Sequence, residues 1–162
     1  MERCAVITVS DRAAAGDRED LSGPAIVDAL AAAGYDATVT VVPDGELSVA
    51  AALRVALADG ARLVVTTGGT GVGPRDRTPE ATREVIERDL PGIAELLRAE
   101  GRTHSAHAAL SRGLAGVTAA TDNRLPALVV NLPGSPTAAR EGIEILMELL
   151  PHILDQLDGG DH

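Results

Sequence analysis

The chain has 162 residues, and its 24 acidic residues outnumber its 14 basic residues to give a net charge of −10. Every basic residue is an arginine, so there is no lysine to serve a P-loop NTPase or to form a Schiff base. Tyr35 is the only aromatic residue, which excludes a base-stacking platform for single-stranded nucleic acid. Because the acidic balance also argues against a duplex-binding surface, we expect no nucleic-acid partner.

The length suits one domain with a full hydrophobic core, which we expect to span residues 1–157, followed by a frayed tail over 158–162. Cys4 is the single cysteine, lies in an apolar segment and is expected to be an inert core residue in a reducing compartment. The chain does not open on a signal-like segment, and no run approaches the roughly 20 apolar residues of a membrane span. These features predict a cytoplasmic protein with no membrane partner.

Strands alternate with helices in the first half of the chain. Apolar runs at 4–9, 37–42 and 63–67 predict strands, because short continuous apolar segments are typical of strands buried on both faces. A helix is predicted from Ser22 to Gly34, and residues 10–21 before it are predicted to be a loop in which 17–20 is solvated. A second helix, with apolar residues on one face, is predicted after Pro43-Asp44-Gly45.

In the second half, Thr78-Pro79 predicts the start of a helix that runs to Leu90, and Pro91-Gly92 separates it from a short helix over 93–100. Strands near 117–121 and 127–132 flank a polar turn and predict a hairpin. Ser135-Pro136 begins a long last helix. This order predicts an α/β fold, a three-layer domain whose mixed central sheet is mostly parallel with one antiparallel pair.

Four loops at the carboxyl ends of predicted strands carry unusual residues, and ligands of open α/β sheets bind at such ends. The loop 68–76 is the most distinctive, since four glycines in six residues let backbone N–H groups approach a phosphate. It lacks both the GxGxxG spacing of a dinucleotide site and the GK[ST] ending of a P-loop. A flexible turn is the alternative, but Arg75, Asp76 and Arg77 directly after the glycines favour a phosphate-and-metal site.

Asp44 and Asp76 follow different strands and are candidates to share one Mg²⁺, which takes one or two carboxylates together with substrate phosphates. The alternative is that each aspartate only caps a helix. The loop 131–136 offers a second anion site at a helix start. Two other sites are disfavoured. His104 and His107 have the spacing of a metal pair but no acidic or thiolate partner nearby in the sequence, and a hydrolase site is disfavoured because the chain has no G-x-S-x-G elbow.

Several segments in order along the chain match a known family. They are residues 10–12, 20–24 and 43–44, the block 66–82 (TTGGTGVGPRDRTPEAT), 91–92 with Glu95 and Arg98, 110–112 with 115–116, and 131–136 (NLPGSP). On these segments the chain resembles the MogA/MoaB molybdopterin-binding family of molybdenum cofactor biosynthesis. The block 66–82 is highly specific to that family, whereas PGSP alone would be weak.

The resemblance implies a three-layer α/β domain that forms a homotrimer and contacts other proteins of the pathway. It also implies a molybdopterin adenylyltransferase that uses ATP, molybdopterin and Mg²⁺. Asp76 and Asp44 fall on the family's two functional aspartates, which would be catalytic and hold the metal, and Ser111 falls on the serine that helps to hold the pterin phosphate. The remaining substrate-binding positions implied by the resemblance are Ser10, Asp11, Gly68, Gly69, Thr70, Gly71, Arg75, Pro133, Gly134 and Ser135.

Two alternatives within the pathway stay open. Proteins of the same fold can bind molybdopterin without adenylyl transfer, or act as scaffolds for other pathway proteins. In either case an acidic protein must hold anionic ligands. Because Arg12, Arg75, Arg77 and Arg112 lie in or beside the motif loops, we expect the site to be a local basic island.

Overall fold

A six-stranded sheet between two layers of helices forms the centre of the computed structural model, which describes residues 1–160. The strands are β1 (Arg3–Val9), β2 (Asp36–Val42), β3 (Leu63–Thr67), β4 (Arg88–Asp89), β5 (Ala115–Val117) and β6 (Leu128–Leu132). They lie in the order β2-β1-β3-β6-β5-β4. The first four in this order are parallel, and β5 is antiparallel to both of its neighbours. The mixed, mostly parallel sheet is thus confirmed, with two antiparallel pairs instead of one.

The helices cover both faces of the sheet. They are α1 (Asp11–Ala14), α2 (Ser22–Ala32), α3 (Glu46–Ala58), α4 (Thr78–Arg83), α5 (Pro91–Arg102) and α6 (Pro136–Leu157), with a 3₁₀-helix at Ala106–Leu110. Apolar residues of α2 and α6 pack on one face of the sheet, and those of α3 pack on the other. Within residues 1–160, no helix is both long and apolar enough to span a membrane.

The buried strands explain the continuous apolar runs in the sequence. All five residues of β3 are buried, and side chains alternate between the two cores: Leu63 and Val65 pack toward α2 and α6, whereas Val64 packs toward α3. Cys4 is fully buried in the first of these cores, where burial raises the pKa of its thiol to about 12. An inert core cysteine is therefore what the structure contains.

The helix predicted to run from Thr78 to Leu90 ends at Arg83, so that prediction was wrong in its second half. Beyond it, Arg88 and Asp89 form β4, and the Glu87 and Leu90 N–H groups donate to carbonyls of β5. Of the periodic apolar residues that suggested a longer helix, Val85 and Ile86 pack on the core formed with α3, whereas Leu90 packs on the core formed with α2 and α6. Tertiary pairing with β5 therefore overrides the local helical pattern.

The hairpin exists, but its first strand was predicted too late in the chain. β5 covers Ala115–Val117 instead of 117–121, because Gly116 allows the backbone of β4 to approach closely. A Cβ at Gly116 would lie 2.7 Å from the Arg88 carbonyl oxygen. A glycine at this position is therefore a requirement of strand packing.

The ends of the predicted elements differ in smaller ways. The loop after β1 contains the one-turn helix α1, which Ser10 caps by accepting a hydrogen bond from the Ala13 N–H. The short helix predicted over 93–100 is longer, Pro91–Arg102. The predicted tail begins at Asp158, which is hydrogen-bonded, since its carboxylate accepts from the Arg62 guanidinium. Positions 161–162 of the predicted tail lie outside the described residues.

Candidate active site

A cleft of about 390 Å³ lies at the carboxyl ends of the parallel strands. It is lined by segments that follow β1, β2, β3 and β6, as expected for a ligand site in this class of fold. Nine of the predicted site residues line it together: Ser10, Asp44, Gly68, Gly69, Thr70, Gly71, Asp76, Gly134 and Ser135. Pro133, Asp11, Arg75 and Ser111 do not line the cleft.

The glycine loop, defined here as residues 68–76, can take its path only with glycines at its start. Gly68 and Gly69 have φ values of +103° and +66°. A Cβ at Gly68 would lie 2.3 Å from the Val9 carbonyl oxygen, and one at Gly69 would lie 2.3 Å from the Thr78 hydroxyl oxygen. Buried Thr78 fixes this path, because its Oγ1 donates to the Gly68 carbonyl at 3.0 Å. The loop is therefore a shaped wall of the cleft.

Asp44, from the segment after β2, and Asp76, at the end of the glycine loop itself, both line the cleft with their carboxylates beside glycines of that loop. Asp76 Oδ2 accepts the Gly73 N–H at 2.9 Å and lies 2.9 Å from the position of a Cβ on Gly71. Asp44 Oδ1 lies 3.4 Å from the position of a Cβ on Gly69. The two carboxylates therefore lie beside Gly69 and Gly71 of the same loop, and each retains acceptor capacity.

Asp11 and Arg75 are engaged with each other at the rim. The Arg75 guanidinium donates to both carboxylate oxygens of Asp11, at 2.7 and 2.9 Å, and to the Asp44 carbonyl at 2.7 Å. These bonds hold the pKa of Asp11 below its usual value and raise the pKa of Arg75. Both side chains are largely exposed, so the pair connects three loops at the surface outside the cleft.

Ser111 lies in a neighbouring hollow and not among the other predicted residues. The hollow has a volume of about 500 Å³ and is lined by Ser111, Arg98 and Arg112, among others. Since β5 runs opposite to β6, the segment before β5 returns to the site edge of the sheet. The Arg112 N–H there donates to the Thr70 carbonyl at 2.7 Å.

Pro133 contributes through its backbone and not through the lining of the cleft. Its carbonyl oxygen accepts the Thr67 hydroxyl at 2.7 Å. The following Gly134 is close to Gly68, since a Cβ at Gly134 would lie 3.2 Å from the Gly68 Cα. Ser135 then caps α6 by accepting from the Ala138 N–H. The second predicted anion loop is thus packed against the first.

Asp20 also lines the cleft, and the prediction of a solvated loop over 17–20 was wrong for this residue. Its Oδ2 accepts the Thr8 hydroxyl at 2.7 Å, and its Oδ1 accepts the Gly23 N–H at 3.1 Å. An acidic side chain that accepts an N–H three residues later is a capping pattern at the start of a helix, and this spacing of Asp20 and Gly23 could have predicted the position of Asp20. Its acidic neighbours in the sequence obscured that signal.

The prediction of a basic island was also wrong. Four carboxylates and a single guanidinium line the cleft, namely Glu19, Asp20, Asp44, Asp76 and Arg18, for a net charge of −3. Of the four arginines of the motif loops, Arg75 pairs with Asp11, Arg77 with Glu46 and Arg112 with Glu80, and Arg12 does not line the cleft. An anionic ligand would therefore depend on backbone N–H groups and on an added cation.

The donor chemistry of the cleft suits a magnesium ion. Asp44 and Asp76 supply hard oxygen ligands, and Mg²⁺ commonly binds one or two carboxylates with substrate phosphates. Across residues 1–160 no group of three or more histidine, cysteine or acidic side chains is arranged to hold a metal by itself. The excess of negative charge in the cleft fits a cation that arrives with a phosphate ligand.

Comparisons with known proteins agree with these features. A family model described as "Probable molybdopterin binding domain" matches residues 5–152. A molybdopterin adenylyltransferase of Pyrococcus furiosus is 39% identical over 150 residues, 92% of this chain and 87% of that protein. A molybdenum cofactor biosynthesis bifunctional protein of Synechococcus elongatus is 44% identical over 158 residues, which are 97% of this chain and 48% of that protein. The chain thus spans about half the length of its bifunctional relatives.

Solved structures share the whole fold. The molybdopterin biosynthesis enzyme MoaB of Thermus thermophilus superposes with a TM-score of 0.86 at 43% identity over 98% of both chains. The tungsten cofactor synthesizing protein MoaB of Pyrococcus furiosus superposes with a TM-score of 0.88 at 36% identity over 96% of both chains. The family resemblance and the fold class predicted from the sequence are confirmed, and the chain belongs to the molybdopterin-binding family of molybdenum cofactor biosynthesis proteins.

Proposed function

We propose that this protein is a molybdopterin adenylyltransferase, which converts molybdopterin and ATP into adenylyl-molybdopterin and pyrophosphate. The observation that carries the proposal is that Asp44 and Asp76 line one cleft, each with its carboxylate beside a glycine of the glycine loop. Two proteins named molybdopterin adenylyltransferase support the proposal: one from Pyrococcus furiosus is 39% identical to this chain, and one from Helicobacter pylori is 37% identical. The substrates are thus ATP and molybdopterin, with Mg²⁺ as the metal.

The reaction needs positioning and charge stabilisation more than a protein nucleophile. A phosphate oxygen of molybdopterin attacks the α-phosphorus of ATP, a new P–O bond forms, and the bond to the β-phosphate breaks to release pyrophosphate. N–H groups of the glycine loop would donate to phosphate oxygens, and Asp44 and Asp76 would hold the metal. When bound, Mg²⁺ neutralises phosphate charge and assists departure of pyrophosphate.

The acidity of the cleft strengthens the case for the metal. With a lining charge of −3, the cleft repels a nucleotide that arrives without a cation. Asp44 and Asp76 then serve as ligands to the cation that accompanies the phosphates. We expect ATP to bind poorly without Mg²⁺ and tightly with it.

The remaining assignments for this chain also belong to the proposal. Residues 1–157 form one molybdopterin-binding domain, which works in the cytoplasm as a homotrimer and contacts other proteins of cofactor synthesis. Ser10, Asp11, Arg75, Ser111 and the two anion loops complete the substrate site. Light scattering on the purified protein tests the assembly, and a mass of one chain would contradict the trimer.

A second candidate is a protein that binds molybdopterin without transferring AMP or that scaffolds other pathway proteins. It is favoured by the position of Ser111, which lies in a separate hollow and not beside the two aspartates. A pterin held mainly in that hollow would be bound away from Asp44 and Asp76.

One assay separates the two candidates. Purified protein is incubated with molybdopterin, ATP and Mg²⁺, and pyrophosphate is measured beside pterin binding. We expect release of pyrophosphate by the native protein, a large drop to a low but measurable rate in Asp76→Asn, and unchanged release in Asp28→Asn, which removes an exposed carboxylate on α2. Pterin binding by the native protein without any pyrophosphate would contradict the enzyme and support the second candidate.

A further inference from the structure

Arg112 makes more hydrogen bonds to the glycine loop than any other side chain described. Its Nε donates to the Gly71 carbonyl at 2.7 Å, and its Nη2 donates to the Asp76 carbonyl at 2.6 Å. Its own N–H donates to the Thr70 carbonyl at 2.7 Å. A single residue from the segment before β5 thus holds both ends of the exposed part of the loop.

The guanidinium is itself fixed by a carboxylate on α4. Its Nη1 donates to Glu80 Oε1 at 2.5 Å, and Glu80 lies in the first turn of that helix, directly after the loop. Arg77 also lies near this carboxylate, 3.7 Å away. The loop therefore closes around a planar cation whose position is set by a regular element of the fold.

The path of the loop determines where the Asp76 side chain lies. Residues 72–75 are exposed, and the loop's internal contacts near Asp76 are with Gly73. When the Gly71 and Asp76 carbonyls are bonded to one rigid group, the distance between them is fixed. The Asp76 carboxylate, which accepts the Gly73 N–H, is then fixed as well.

We infer that Arg112 is a positioning residue for the Asp76 carboxylate, acting by holding the glycine loop in its active shape. The inference rests on the proposed function, in which Asp76 would hold the metal that accompanies the phosphates of ATP. Arg112 reaches Asp76 only through its backbone carbonyl, so its effect on the reaction passes through the loop.

The positioning role requires the planar, forked arrangement of the three guanidinium nitrogens. Three different nitrogens bond to three different acceptors, and a lysine ammonium keeps the charge but cannot reproduce that geometry. Arg62 is a matched control, since its buried guanidinium also joins a carbonyl, of Pro126, to a carboxylate, of Asp158. It lies at the N-terminal end of β3, the opposite edge of the sheet from the cleft.

The test compares Arg112→Lys with Arg62→Lys in steady-state adenylyl transfer, each alone and combined with Asp76→Asn. We expect Arg112→Lys to lower kcat roughly 100-fold, the cost of a displacement of about 1 Å, with a small change in KM for molybdopterin. In the Asp76→Asn background the same change should have almost no further effect, because the positioned group is already lost. Arg62→Lys should lower stability and leave kcat unchanged.

Amide hydrogen exchange over residues 71–76 supplies a readout that needs no activity. We expect faster exchange there in Arg112→Lys and in Glu80→Gln, and unchanged exchange in Arg62→Lys. If Arg112→Lys does not fold, Glu80→Gln tests the same hydrogen-bond arrangement. Unchanged exchange, or an equal loss of kcat in both Asp76 backgrounds, would overturn the inference. A native protein that releases no pyrophosphate contradicts the proposed function alone, and exchange still decides whether Arg112 orders the loop.

Discussion

Asp11 and Asp44 exchange hydrogen bonds across two loops: the Asp11 N–H donates to Asp44 Oδ2 at 2.9 Å, and the Asp44 N–H donates to Asp11 Oδ1 at 3.1 Å. Arg75 then bonds to the Asp11 carboxylate and to the Asp44 carbonyl. The loops after β1, β2 and β3 are thus joined at one point. Two aspartates predicted as ligands of substrate or metal also maintain the shape of the cleft.

This connection predicts that Arg75 makes a pH-dependent contribution to the stability of the fold. The guanidinium lowers the pKa of Asp11 from its ordinary value of 3.8 by favouring the charged carboxylate. The ion pair therefore stabilises the fold above pH 3.8, and this contribution is lost as the pH falls through the lowered pKa of the folded state. In Arg75→Gln we expect the pKa of Asp11 to rise toward 3.8, measured by carboxyl-carbon NMR.

A control for this change is Arg83→Gln, which removes an exposed arginine 4.0 Å from Asp89. It should leave the Asp11 titration unchanged. An Asp11 pKa that stays equally low in Arg75→Gln would show that the backbone N–H of Asp44, and not the guanidinium, holds the carboxylate in its charged form.

Alanine substitutions at Gly68 and Gly60 distinguish the cost of backbone strain from the cost of steric crowding. Both have positive φ, +103° and +85°, but a Cβ at Gly68 would meet the Val9 carbonyl at 2.3 Å, whereas one at Gly60 would meet nothing within 4 Å. Gly60→Ala should cost about 1–2 kcal/mol of unfolding free energy from the left-handed conformation alone. Gly68→Ala should cost a further 1–3 kcal/mol or so from overpacking, measured by urea denaturation. Equal losses would contradict the close approach.

Asn131 is expected to matter for stability as well as for the position of the loop that follows it. It is buried, its Nδ2 donates to the Thr66 and Thr82 hydroxyls at 2.9 Å, and its Oδ1 accepts the Leu114 N–H at 3.2 Å. Asn131→Ala leaves that buried N–H without its acceptor, which should cost about 1–3 kcal/mol by urea denaturation. Asn123→Ala, in the exposed turn, should change stability by less than about 0.5 kcal/mol.

Cys4 provides a probe of unfolding. Because burial raises the pKa of its thiol to about 12, almost no thiolate exists at pH 8 and access is blocked. An aromatic disulfide reagent should therefore react negligibly with the native protein and with one equivalent of thiol in denaturant. Rapid reaction of the native protein at pH 8 would mean that β1 opens locally.

The parts of this molecule that the sequence predicts are those encoded locally. The apolar run of β3, the glycines after it and the Ser135 cap are each determined by neighbouring residues, and they lie where expected. β4 was missed because it exists only through pairing with Gly116 and Val117, about thirty positions later in the chain. The acidic character of the cleft was missed for a similar reason, since the motif arginines find carboxylate partners on other segments.

The strand order has a consequence for how the protein folds. β1, β2 and β3 follow one another in the chain, but β3 pairs with β6, and Arg112 meets Gly71 across 41 positions. Closing such long loops before their contacts form slows folding. A chain with only β1 to β3 assembled would hold Asp44 and Asp76, the two aspartates proposed to bind the metal, and still lack Arg112, the residue inferred to order the glycine loop. We expect catalytic competence to return in the slowest phase of refolding, after most secondary structure has formed.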